Sequence, residues 1–242
     1  MFYEPPLTQY DVNFRILDIP VRIHPFFWVL VLFLGMNVPN QMALLLWFIV
    51  VTASILVHEL GHALVMRHYG MQPRIVLYSF GGLTIFDRTY HLRWFENILI
   101  SFAGPAAGFL LLGALTLLCI VTGNPQILGY FPVILGLGGS LAPIGNVTTT
   151  QLVLFLIQVN LFWGILNLLP VFPLDGGQIC REYCVYRAPQ TGLMQSLKVS
   201  FITAIMLAVW FFFGGQIFAG ILFAWMAISN YQILQQFSQR PW

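Results

Sequence analysis

The stretch SILVHELGHALV, residues 54 to 65, places two histidines and a glutamate in an otherwise apolar segment. His58 and His62 are four residues apart, so on a helix they lie one turn apart on nearly the same face, where two imidazoles can hold one metal ion. Glu59 follows the first histidine directly. In an H-E-x-x-H arrangement this carboxylate is placed to take a proton from an attacking water without binding the metal itself.

The composition indicates that this segment lies in a membrane. Of 242 residues, 59% are hydrophobic and 7% are charged, against roughly 25% charged in a soluble domain. A bilayer accepts the apolar exterior that such a chain must have. The alternative for the motif is a pair of core histidines in a hydrogen-bonded network, but a glutamate inside a membrane helix costs several kcal/mol and needs a function. The net charge of +2 gives no indication of a nucleic-acid partner.

The elements that must position these residues are membrane helices. Runs near or above the roughly 18 apolar residues of a spanning helix occur at 42–66, 98–121 and 152–169, and shorter runs occur at 25–36, 199–213 and 217–234. A further apolar stretch, 127–145, contains Pro132, Pro143 and five glycines, and we expect a loop or re-entrant hairpin there. The pattern predicts an all-α polytopic membrane protein with about six transmembrane helices and a small β-rich segment between helices 2 and 3.

The distribution of positive residues tests this topology, because lysine and arginine concentrate in cytoplasmic loops. All ten lysines and arginines fall on one side of the six-helix arrangement. We therefore expect both termini in the cytoplasm and a multi-pass protein, in the cell membrane of a bacterium. The polar N-terminus does not have the order of a cleavable signal peptide, so we expect Met1 to be the native start. Nothing marks a second domain, and we expect one domain over 1–242, with a core at about 20–185 and a C-terminal helical hairpin at about 197–235.

A zinc site of this type needs a third protein ligand at a similar depth. His58 and His62 lie within about 13 Å of Arg67 along a helix, which puts them in the cytoplasmic half of the bilayer. The stretch NLLPVFPLDGGQ, residues 167 to 178, emerges on the same side and contains Asp175. Its prolines stop the helix, and its two glycines permit a tight turn that could aim the carboxylate inward. A surface turn is the alternative for this segment.

The paired motifs HELGH and NLLPVFPLDGG resemble the site-2 protease family of intramembrane zinc metalloproteases, over roughly residues 20–185. AGPAAG at 103–108 is similar to the family's small-residue third helix, and SFGGLTIF at 79–86 to its strand region. The resemblance implies that His58, His62 and Asp175 hold zinc, that Glu59 is the catalytic base, and that Asn167 assists catalysis. Gln178 differs from the family pattern, in which many members have a basic residue after the two glycines. No inserted PDZ-like domain or C-terminal regulatory domain fits, so we expect a minimal form.

These features predict hydrolysis of peptide bonds in transmembrane segments of protein substrates, with one zinc ion per chain. Asn167 offers an amide N–H to the developing oxyanion, although an asparagine near a helix end can instead cap the backbone. Gly81 and Gly82 are candidate substrate-binding residues, because SFGGLTIF could pair with an unwound substrate by strand addition; a simple connecting hairpin is the alternative. The rival function is a non-proteolytic membrane metalloprotein, either a metal transporter or a protease-like membrane chaperone.

Overall fold

The computed structural model describes residues 4–79, 81–86 and 92–238. Most of them are helical. The α-helices are α1 (Pro25–Leu34), α2 (Gln41–His68), α3 (Trp94–Val121), α4 (Tyr130–Ile134), α5 (Val147–Asn167), α6 (Asp175–Arg187), α7 (Gly192–Phe213) and α8 (Ile217–Ser238). The strands are β1 (Val12–Ile16), β2 (Ile19–Ile23), β3 (Arg74–Tyr78) and β4 (Gly81–Ile85).

Five helices of the described chain are long and apolar enough to cross a bilayer, namely α2, α3, α5, α7 and α8. Each has at least 21 residues, which gives a length of about 30 Å or more, the thickness of the hydrocarbon core. They coincide with five of the six predicted crossings. The expected fold class is confirmed: the chain is an integral, multi-pass membrane protein that also carries a small sheet.

The sixth predicted crossing, 25–36, is the short helix α1 of ten residues. Its length of about 15 Å is half of a hydrocarbon core, so α1 alone does not cross. Pro25 starts this helix and His24 caps it, because the Nδ1 atom of His24 accepts a hydrogen bond from the amide of Phe26. The proline-broken stretch 127–145 forms no long helix; it contains only the end of a 3₁₀ turn (Pro125–Gly129), α4 and irregular chain.

The sheet is larger than the sequence predicted, with the strand order β1-β2-β3-β4. Strands β1 and β2 form an antiparallel hairpin before α1, β2 pairs with β3 in parallel, and β3 pairs with β4 antiparallel. The expected β-rich segment supplies only β3 and β4. The other two strands come from the N-terminal segment, whose alternating apolar and polar residues fit a half-exposed strand.

A buried arginine ties the N-terminal segment to this sheet. Arg22, on β2, pairs with Asp11 and Glu4, each at 3.0 Å. The hydroxyl and amide of Thr8 donate hydrogen bonds to Asp11. These contacts lower the pKa of Asp11 from 3.8 to about 2. The hydrogen bond from the Thr8 hydroxyl is the main cause, and the Arg22 guanidinium adds to it.

The chain divides into two compact units. The first unit, Met1–Tyr90 with Ala103–Gly164, contains the sheet, α1, α2 and most of α3 and α5. Its main core joins apolar residues of β2, β3, α1 and α2, such as Phe27, Ile55 and Leu77. The second unit, His91–Phe102 with Ile165–Trp242, contains α6, α7 and α8 and has its own core around Val171, Ala204 and Phe223.

Candidate metal centre

The HELGH residues lie together inside the first unit, on the C-terminal half of α2. His58, Glu59 and His62 are all buried, with exposed fractions of 3%, 4% and 6%. One ligand atom from each lies within 4.8 Å of the other two, and within the described residues no other set of three or more metal-binding side chains meets this condition. The helix register therefore gathers the three side chains, as their spacing predicts.

The two imidazoles have the geometry of a metal-binding pair. Their Nε2 atoms are 3.2 Å apart, and two nitrogens that bind one tetrahedral zinc at about 2.0–2.1 Å are separated by about 3.3 Å. Imidazole nitrogens are also donors that suit zinc. The residues present therefore fit a zinc ion.

Helix α3 packs directly against this pair through a glycine. A Cβ atom on Gly104 would overlap the His62 ring and lie 2.8 Å from Nε2 of His58. Next to His62 on α2, a Cβ atom on Gly61 would lie 2.8 Å from Cβ of Ala107 and would also overlap the backbone carbonyl of Ala103. The small residues of AGPAAG thus allow α3 to approach the histidines closely, which is the physical reason for this motif.

Strand β4 lies against the glutamate. The Thr84 hydroxyl donates a hydrogen bond of 2.7 Å to Oε2 of Glu59, and a Cβ atom on Gly82 would overlap the Glu59 carboxylate. Gly81 has φ of +106°, a conformation that favours glycine, and a Cβ atom there would lie 2.7 Å from the Trp163 ring. The Trp163 ring also contacts His58 edge-on, with ring centroids 6.4 Å apart. Gly81 and Gly82 are therefore close-packed beside the site.

Tyr78 ends the neighbouring strand β3 and is buried. Burial, with the Glu59 carboxylate adding to it, raises the pKa of Tyr78 well above its ordinary value of 10. The phenol therefore stays protonated and neutral throughout the physiological pH range.

Asp175 and Asn167 belong to the second unit. Asn167 is the last residue of α5, and Asp175 is the first residue of α6 and is buried. The prediction of a tight turn at Gly176 and Gly177 is wrong, because both glycines lie in the first turn of α6. Both positions require glycine because of packing, since a Cβ atom on either would overlap the backbone of the preceding loop.

The loop before Asp175 is anchored by the C-terminal hairpin. The amide of Phe172 donates a hydrogen bond to the Ser200 hydroxyl at 3.1 Å. The side-chain amide of Asn230 donates to the Phe172 carbonyl at 2.7 Å. Ser200 and Asn230 lie on α7 and α8 and are buried, so these two helices fix the loop from which α6 starts.

The remaining polar residues have structural positions. Asn160 donates a hydrogen bond of 2.9 Å to the Ser54 hydroxyl, which joins α5 to α2. His24 caps α1. His68 is exposed at the end of α2. His91 lies outside the described residues.

Thr84, Trp163 and Gly104 border the histidines and the glutamate but were not predicted as site residues. Gly104 lies within AGPAAG and Thr84 within SFGGLTIF, the two segments that resemble the family, but neither residue was singled out. Trp163 is an ordinary residue of the apolar helix α5, and its contact with His58 arises from the fold.

Comparisons with known proteins agree with this architecture. The family model described as Peptidase family M50 matches residues 46–213. The solved structure of the site-2 protease from Methanocaldococcus jannaschii superposes with a TM-score of 0.58 and 23% sequence identity, covering 93% of this chain and 95% of that one. At this identity the likeness shows the fold.

Two curated proteins extend the comparison. A zinc metalloprotease of Methanocaldococcus jannaschii is 29% identical over 192 residues, which cover 77% of this chain and 48% of the relative. Stage IV sporulation protein FB of Bacillus subtilis is 28% identical over 224 residues, covering 91% and 68%. This chain thus spans about half the length of the first relative and about two thirds of the second. Since the family model covers well over half of the sequence, the chain belongs to Peptidase family M50, the site-2 protease family that its paired motifs resemble.

Proposed function

We propose that this protein is an intramembrane zinc metalloendopeptidase that works as a single domain and hydrolyses peptide bonds within or near transmembrane segments of protein substrates. The observation that carries the proposal is the buried cluster of His58, Glu59 and His62 on a membrane-spanning helix. Ionisable side chains at such a depth are costly, and their grouping around one point is explained by metal-assisted hydrolysis.

The proposed metal ligands are His58, His62 and Asp175, with one zinc ion per chain. When bound, zinc polarises the scissile carbonyl and lowers the pKa of a water molecule towards 7. The 3.2 Å separation of the two Nε2 atoms supports the histidine pair. For Asp175, the support is its burial, the anchoring of its loop by Ser200 and Asn230, and the family motif PLDGG.

Glu59 is the proposed general base. Its carboxylate oxygen lies within 4.8 Å of the two histidine nitrogens, close enough to act on a water molecule held at the histidine pair. Glu59 takes the proton of the attacking water and then gives it to the leaving amine. Asn167 is the proposed donor of a side-chain N–H to the oxyanion that develops on the substrate carbonyl.

The substrate must be extended where it is cut, because a helix hides its carbonyls in its own hydrogen bonds. Strand β4 is an edge of the four-stranded sheet and adjoins Glu59 through Thr84. An unwound substrate segment that paired with β4 at Gly81 and Gly82 would therefore run beside the general base.

The proposed orientation has both termini and the active site on the cytoplasmic side. The parallel pairing of β2 with β3 supports it, since these strands flank α1 and α2. The chain thus leaves the sheet before α1 and returns to it after α2, so the N-terminal segment lies on the same side as the C-terminal end of α2. In this orientation α1 and residues 35–40 together make the sixth crossing, which keeps the number of crossings even. Four of the ten positive residues, Arg15, Arg22, Arg67 and Arg74, lie on or beside this sheet, as the positive-inside rule requires of a cytoplasmic element.

Purified protein in lipid tests the proposal with a single-span reporter substrate. We expect about one zinc per chain, cleavage that stops on chelation, and recovery when zinc is restored. Asp175→Ala should lose both zinc and cleavage, whereas His68→Ala, a matched change at an exposed residue of α2, should keep both. Zinc binding without cleavage of any membrane substrate would favour the non-proteolytic transporter or chaperone.

A further inference from the structure

Strand β4 presents two residues to the proposed general base. Side chains two apart on a strand share a face, and in β4 these are Gly82 and Thr84. The first leaves space for the Glu59 carboxylate, since a Cβ atom there would overlap it. The second donates its hydroxyl to Oε2 of that carboxylate at 2.7 Å. One face of β4 therefore packs against the Glu59 carboxylate and also donates a hydrogen bond to it.

The Thr84 hydroxyl has one proton and two possible acceptors on the same residue. Its oxygen is 2.7 Å from Oε2 of Glu59 and 3.2 Å from the Glu59 backbone carbonyl. The shorter, charge-assisted contact takes the proton. The hydrogen bond ties the carboxylate to a strand of the sheet, 25 residues away in sequence.

We propose that Thr84 is a positioning residue that orients Glu59 for proton transfer in the hydrolysis assigned above, so the inference rests on the proposed function. A general base must come within about 2.6–3.2 Å of the proton that it takes. Glutamate has three rotatable side-chain bonds, and holding Oε2 restricts the carboxylate to orientations that meet this requirement. Thr84 acts through Glu59 and holds neither metal nor substrate.

The test is Thr84→Val, which keeps the shape of the side chain and removes the hydroxyl, together with Thr84→Ser, which restores the hydroxyl. Thr116→Val is the matched control. Its hydroxyl donates to the Leu112 carbonyl within α3 at 2.8 Å and so makes a bond of similar length that does not involve Glu59. The measurements are kcat and KM on the reporter substrate, and zinc per chain.

Thr84→Val should lower kcat about tenfold or more, since a well-placed general base contributes about 10²–10⁴. Its KM should stay within about twofold and its zinc content should be unchanged, because Thr84 orients only the base. Thr84→Ser should recover most of kcat, and Thr116→Val should match the wild type. If the valine variant does not fold, Thr84→Ala, which removes the hydroxyl without adding bulk, is measured in its place.

A normal kcat in folded Thr84→Val would overturn the positioning role, as would a rise in KM alone or a loss of zinc. Failure of both the valine and alanine variants to fold would do so too, because the contact would then be structural. The same assay tests the proposed function separately. If the wild type shows no Glu59-dependent cleavage, the proposed function is wrong. If the wild type and Thr84→Val both cleave normally, only the role of Thr84 is wrong.

Discussion

Gly104 lies directly over the nitrogen edge of His62, so closely that a Cβ atom there would overlap the imidazole. The same atom would lie 2.8 Å from Nε2 of His58. A glycine on α3 thus leaves the space in which the two histidines can face a common point. The proposed zinc site therefore depends on this helix contact as well as on the motif.

Gly104→Ala should therefore displace one or both imidazoles and sharply lower zinc affinity, with cleavage lost in parallel. Gly113→Ala on the same helix is the control, because a Cβ atom there meets nothing within 4 Å. Alanine at this position should be neutral or stabilise α3 by up to about 1 kcal/mol. Zinc per chain at limiting free zinc is the measurement, and wild-type affinity in Gly104→Ala would contradict the packing argument.

Gly82→Ala distinguishes two roles of β4: leaving space for the Glu59 carboxylate and pairing with the substrate backbone. A Cβ atom at Gly82 overlaps the Glu59 carboxylate, so the variant should lower kcat at least tenfold through displacement of the base, with zinc retained, since a general base contributes about 10²–10⁴. If instead the main task of Gly82 is to pair with the substrate backbone, KM should rise and kcat should change little. Steady-state kinetics on the reporter substrate distinguishes the two results.

Asn160→Ala removes the buried hydrogen bond between α5 and α2. Such interhelical bonds contribute roughly 0.6–2 kcal/mol, so the variant should lower the thermal midpoint of the protein in detergent. Ser54→Ala removes the acceptor of the same bond, and the double variant should cost less than the sum of the two single changes. Strict additivity would show that the bond carries no coupling energy.

Asp11→Asn tests the anchoring of the N-terminal segment to Arg22. The folded pKa of Asp11 is lowered to about 2 from 3.8, so its stabilising contribution is fully present above pH 3.8 and is lost as the pH falls through about 2. The variant should lower the thermal midpoint by the same amount at every pH between 5 and 8. The control Asp18→Asn, at an exposed turn residue, should have little effect. A difference that disappeared between pH 8 and pH 5 would contradict the assigned pKa.

The sequence predicted the long helices and the His-Glu-His cluster well because each depends on local spacing. A run of apolar residues or a four-residue interval fixes a helix or a shared helix face without knowledge of the remaining fold. The hairpin of β1 and β2 was missed, although VNFRI and IPVRI both alternate, because the N-terminal segment was considered only as a polar segment that lacks the order of a signal peptide. Arg22 is in fact buried and paired with Glu4 and Asp11.

The surroundings of the site could not be predicted in the same way. The contacts of Thr84 with Glu59 and of Gly104 with His62 join residues far apart in the chain, and only the packed structure brings them together. At Gly176 and Gly177 the sequence predicted a local feature, a turn, that the structure does not have. Two adjacent glycines are typical of a turn, but here they allow the start of α6 to pack against the preceding loop.

The central claim is that Glu59 acts as the base in zinc-assisted hydrolysis inside the membrane. Its most direct test is Glu59→Gln, measured for zinc content and for cleavage of a co-reconstituted membrane substrate. Glutamine keeps the size of the side chain but cannot accept the proton, so zinc should stay at the wild-type level while cleavage falls by about 10² or more. Wild-type cleavage by Glu59→Gln would contradict the account.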